Sequence, residues 1–213
     1  MRLITMSITG DIAGIFKKDW KLFLACNVFL FGLFILGILV GQVFPDIHDM
    51  SVDFIEQATT TGPISTASQT LESGDILLGT WQIFSHNYFV TIVLASLPSL
   101  VFPPWILVVF GAQFFVFGII FSVPSVITDP TVLIPLLGTL ILEGEAYVIA
   151  IFATMRLVEA VIWPSRFNES SRLKAYMRAV IDNGKLLLVV GVWLAVAALF
   201  EAASLVLVGG MAK

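Results

Sequence analysis

Charge is scarce in this chain. Asp, Glu, Lys and Arg make up only 12% of its 213 residues, against 58% hydrophobic residues and a mean hydropathy of +1.00. A water-soluble globule of this length needs far more polar residues to cover its surface, so the composition excludes one. There is one cysteine, Cys26, which excludes an internal disulfide. The only histidines are His48 and His86, too few beside the available acids to suggest a metal centre. Cations are the minority, with 11 Lys and Arg against 15 Asp and Glu and a formal charge of -4. That balance argues against nucleic acid as a partner. Also missing are a Gly-rich phosphate loop, paired histidines with a glutamate at zinc spacing, and a serine nucleophile elbow. The chain therefore reads as a non-enzyme with no cofactor and no metal.

What is present is apolar length. A hydrocarbon layer of roughly 30 Å takes about 20 helical residues per crossing. Five runs meet that need, at Leu22 to Phe44, Ile83 to Phe102, Trp105 to Ile127, Thr131 to Leu157 and Leu186 to Val208. The first is too long for a signal-peptide core, and Pro103-Pro104 forces a tight turn between the second and third. The sequence thus predicts an all-α, integral membrane helical bundle with five transmembrane helices in one domain, 22–213, after a lead-in over 1–21. Positive flanks set its orientation. Arg2, Lys17, Lys18 and Lys21 precede the first run, and Arg156, Arg166, Arg172, Lys174, Arg178 and Lys185 flank or fill the basic segment 158–185. The connection 45–80 has no Lys or Arg. The N-terminus is therefore expected to be cytoplasmic and the C-terminus external, in a multi-pass protein of the cell membrane.

Between the runs, Ile8, Ile12, Ile15 and Phe16 recur at helical spacing, which predicts a short amphipathic helix over 8–20. The external loop divides into an acidic half, Asp46 to Gln57, and a Thr/Ser/Gly/Pro stretch, Thr59 to Thr70, expected to be flexible. Over 168–185, Arg172, Leu173, Tyr176, Met177, Val180 and Ile181 predict an amphipathic helix lying along the membrane before the last span.

Ionisable groups at membrane depth are costly and need a partner, a proton or a wet cavity. The candidates are Glu143 and Glu145 in the fourth run, Glu201 in the fifth, Gln113 in the third, and His86 and Asn87 entering the second. Glu143 and Glu145 lie about 200° apart around a helix, so one cavity is not expected to hold both. The expected arrangement turns Glu143 inward with Tyr147, close to Gln113, and points Glu201 toward His86 or Asn87. Such groups serve either as interhelical glue or as a proton or cation path. Small residues at packing spacing, Gly37, Gly41, Gly111, Gly118 and Gly191, predict close helix contacts. Packing within one chain and packing within a homo-oligomer both remain open.

Four segments carry a family likeness: Asn87 at the second run, Gly111-Ala112-Gln113 to Gly118, Leu142-Glu143-Gly144-Glu145-Ala146-Tyr147-Val148-Ile149-Ala150, and Ala197-Ala198-Leu199-Phe200-Glu201-Ala202. With these spans the chain resembles the stage II sporulation protein M family of small prokaryotic membrane proteins. Thr139-Leu140 stands where that family carries a His-Gly pair. The resemblance implies a non-enzymatic scaffold or assembly component working with other membrane or cell-envelope proteins. The alternative from the residues themselves is a small proton, cation or solute transporter or channel subunit built on Glu143 and Glu201.

Overall fold

The computed structural model describes residues 8–59, 63–122 and 130–211. Every element among them is helical. In chain order these are α1 (Ile8–Lys18), α2 (Trp20–Val43), α3 (Pro45–Thr59), α4 (Pro63–Glu72), α5 (Ile76–Ser85), a π-helical segment (His86–Val93), α6 (Leu94–Ser99), α7 (Trp105–Ile120), α8 (Pro130–Ile162), a 3-10 turn (Pro164–Phe167) and α9 (Arg172–Met211). Three helices are long and apolar enough to cross a membrane: Trp20–Val43, Leu133–Ile162 and Arg172–Leu207. Helix α7 is apolar but shorter. The turns from Ile76 to Ser99 follow without a break, about 36 Å of helix at 1.5 Å per residue.

Contacts fix the directions. Gly37 packs on Gly118 while Gly111 meets Phe29 and Leu33, so α2 and α7 run parallel. Phe31 meets Gly144 and Phe23 meets Phe152, so α8 runs against α2. Helix α9 returns against α8, with Arg156 beside Asp182 at one end and Phe200 on Gly138 at the other. Tyr88 sits at Gly191 and Leu100 at Tyr176, so the Ile76–Ser99 stretch also opposes α9. The core lies where α2, α7 and α8 meet. There the Tyr147 ring stacks on Phe110, centroids 5.0 Å apart, and meets Phe114 edge-on at 5.7 Å, the offset and T-shaped arrangements that aromatic quadrupoles favour.

The structure departs from the sequence expectation in three places. The segment 168–185 does not form a separate helix along the membrane. It is the first part of α9, which continues unbroken from Arg172 to Met211. The stretch expected to be flexible carries α4. Proline is at home in the first turn of a helix, where its missing N–H is no loss, and Thr70 Oγ1 donates back to the Thr66 carbonyl at 2.9 Å. Ala67 and Leu71 are buried, Leu71 against Gly79 of α5. Gly74, at φ +86°, supplies the left-handed residue that lets the chain turn from α4 into α5. The third run is helical only to Ile120, and its expected end at 123–127 lies outside the described residues.

Candidate functional site

Two polar assemblies interrupt the apolar bundle. The first is a cavity of about 220 Å³, room for several waters. The Ile76–Ser99 stretch contributes Gln82, His86, Asn87 and Thr91, α7 contributes Gln113, α8 contributes Glu143 and Tyr147, and α9 contributes Glu201. Helical spacing puts Glu143 and Tyr147 on one face of α8. Asn87 Nδ2 donates to Glu143 Oε1, and Glu201 lines the same space from α9. Gln113 lines the cavity together with the fully buried Tyr147. Next to Glu143 in sequence, Gly144 seats the tip of the Phe31 ring, 2.8 Å from where a Cβ would stand, so α2 packs closely on α8 here.

The π-helical segment begins at His86, and its wide turn is seen in the Leu94 N–H reaching back five residues to the Phe89 carbonyl. Such distortions give up regular α-helical bonding and occur often at functional sites. Tyr88 of the same segment donates its hydroxyl proton to the Leu187 carbonyl at 3.3 Å, tying it to α9. The cavity is not fully satisfied by protein. His86 Nδ1 and Gln82 Oε1 are buried without partners among the described residues.

The structure therefore gathers Glu143, Glu201, Gln113, His86 and Asn87 around one space. Glu145 is not among the lining residues and is half-buried elsewhere on α8. The packing glycines lie between helices. Gly37 meets the Gly118 Cα, Gly41 faces Ser122 and Ile119, Gly111 seats Phe29 and Leu33, and Gly191 lies against the Tyr88 ring. Among the described residues, no three His, Cys, Asp or Glu side chains converge as a metal site would require.

The second assembly was not foreseen from sequence. Arg156 and Asp19 are each 3% exposed. Arg156 Nη1 binds Asp19, while its Nη2 binds Asp182 at 2.8 Å. Arg166 joins Asp19 at 2.8 Å and Glu159 at 2.6 Å. Asp19 occupies the cap position of α2 but makes no capping bond, because its carboxylate is used by the two arginines. The one available signal was Arg156 standing at the end of the apolar run Val148 to Met155, opposite an acid directly before Trp20.

The fold and the two polar assemblies define an all-helical protein with several helices suited to a membrane. No protein-family model matches the chain, and neither does any curated protein or solved structure.

Proposed function

We propose that the chain is a five-span integral membrane protein, N-terminus inside and C-terminus outside, whose polar centre takes up and passes on a proton or small cation. The span count is supported by five apolar helical stretches, α2, Ile76–Ser99, α7, α8 and α9, that alternate in direction along the chain. Sidedness rests on the cationic end shared by α1, the end of α8 and the start of α9. In a chain with Cys26 replaced by alanine, Asp53→Cys should react with an impermeant maleimide on intact cells, and Lys174→Cys only after permeabilisation. Labelling of both from the same side would end this layout.

The observation that carries the functional reading is the meeting of Glu143 and Glu201 in a cavity that leaves His86 and Gln82 polar atoms unpartnered among the described residues. Two carboxylates sharing one low-dielectric cavity repel each other, so the pair favours holding a proton or a cation there. A single five-helix bundle makes a meagre pore, so the chain acts as a subunit of an oligomeric transporter or channel. Glu143→Gln keeps an oxygen for Asn87 and offers N–H to Glu201 but cannot release a proton. In proteoliposomes under an imposed pH gradient, wild type should pass protons and the variant should fall to the level of empty liposomes, while bundle stability changes by less than about 1 kcal/mol. No flux from wild type, or equal flux from both, refutes the reading.

A second reading, a scaffold for cell-envelope partners, is favoured by the bond that closes Asn87 on Glu143 between helices, as interhelical glue would, and by the sporulation-family resemblance. Stable co-purification with an envelope protein, in the absence of flux, would select it.

A further inference from the structure

At the opposite end of the bundle from the external loop, a cleft of about 890 Å³ lies between α1 and the first half of α9. Its walls hold five cations against three acids, and the pairing among them is incomplete. Lys185 is taken by Asp11 at 2.9 Å, and Asp182 stands 3.6 Å away. Arg178 is 3.7 Å from Glu169, beyond hydrogen-bond reach. Lys174 has no ion pair among the described residues, and Lys18 bonds the Arg166 carbonyl rather than an acid. Arg156, almost wholly buried in the wall, keeps an Nε–H without a partner among the described residues.

Two further features give the cleft its shape and its second chemistry. Gly10 and Gly14, one turn apart on α1, line it, and a Cβ at Gly14 would meet nothing within 4 Å. A glycine inside a helix costs stability relative to alanine, and here it leaves the space beside the cations open. Along α9, Leu173, Met177 and Ile181 recur every fourth residue, all more than half exposed, and line the same cleft. Trp20 and Trp163, both exposed, mark the level at this end where aromatic side chains meet lipid headgroups. An anion site beside an apolar stripe at that level matches an amphiphile with a phosphate at one end.

We infer that this cleft seats the phosphate ester of an anionic phospholipid headgroup, held by Lys174, Arg178 and Lys18 and entered over the bare face of α1. The inference requires the chain to sit in a bilayer but not the polar centre to conduct, and its test measures no flux.

The full chain in neutral detergent micelles is titrated with phosphatidylglycerol, phosphatidylcholine or glycerol 3-phosphate, and the bound species are counted by native mass spectrometry. Wild type should hold phosphatidylglycerol and not phosphatidylcholine. At about fivefold in affinity for each cation near a phosphate, the Lys174→Gln/Arg178→Gln pair should bind about 25-fold more weakly. Lys174→Arg should bind as wild type does. Gly14→Phe fills open space without touching a charge, and should abolish binding while helix content and melting stay unchanged. Three results would overturn the inference: equal retention of the two phospholipids, both the glutamine pair and Gly14→Phe binding as wild type does, or glycerol 3-phosphate binding as tightly as phosphatidylglycerol. The last would assign the site to a soluble phosphate ester.

Discussion

Arg156→Ala should cost about 3–5 kcal/mol of stability, the range for removing one member of a buried ion pair. Arg156 is 3% exposed and its two Nη groups serve two acids, Asp19 from the start of α2 and Asp182 from α9. Among the described residues, truncation leaves the buried Asp19 carboxylate with Arg166 alone and takes the cation from Asp182, joined otherwise only to Lys185 at 3.6 Å. Since total stabilities lie near 5–15 kcal/mol, the loss is large. Denaturation of purified protein in mixed micelles should show the midpoint falling sharply or the cooperative transition disappearing. Arg156→Lys should recover only part of the loss, because an ammonium is a compact point charge that cannot reach two carboxylates with two separate Nη groups as the guanidinium does. Adding Asp19→Asn to Arg156→Ala should also recover part, by removing the stranded charge. A single Arg156→Ala variant that unfolds as wild type does would show that water reaches this network freely.

That network separates what the sequence disclosed from what it concealed. Apolar runs disclosed the main helices because the signal sums over about 20 residues and survives local exceptions. The expected start of the first run at Leu22 and the observed start of α2 at Trp20 differ by two residues. The same lysines and arginines that served as markers of sidedness concealed their own pairing. Asp19 and Arg156 are 137 residues apart, and nothing in either neighbourhood specifies the other. Helix α4 was concealed differently. Its Thr/Ser/Pro composition favours loops, and the burial of Ala67, with Leu71 packed against α5, outweighs that weak local preference.

At the polar centre, periodicity within one helix was readable and rotation between helices was not. The i, i+4 spacing of Glu143 and Tyr147 is enough to put them on one face. Which neighbour each acid meets depends on how α8, α9 and the second run are turned toward one another. The sequence expectation aimed Glu201 at His86 or Asn87. In the structure Asn87 bonds Glu143, and Glu201 and His86 share the cavity wall with them. The π-helical segment carrying His86 and Asn87 had no sequence signature. One added residue per turn re-aims the side chains beyond it, so the register that brings Asn87 to Glu143 is a property of the packed bundle.

Gly118→Leu should be the other severe lesion, because the contact it breaks is backbone against backbone. A Cβ at Gly118 would collide with the Phe34 carbonyl and stand 3.0 Å from the Gly37 Cα; one at Gly37 would collide with the Phe115 carbonyl. No rotamer change relieves such contacts, so α2 and α7 must move apart, loosening the core in which Phe114 meets Phe31 and Tyr147. Overpacking of this kind costs about 1–3 kcal/mol in a tight core, and the leucine at a backbone contact belongs at the upper end. The substitution also gains about 0.8–1 kcal/mol of helix propensity over glycine, which is too little to offset the collision. Gly184→Ala provides the contrast, since nothing lies within 4 Å of its Cβ and the same propensity gain is unopposed. Unfolding in mixed micelles should therefore place Gly184→Ala at or above wild type and Gly118→Leu well below it, with Gly118→Ala between. If Gly118→Leu unfolded at the wild-type midpoint, α2 and α7 would not be in backbone contact in the native protein.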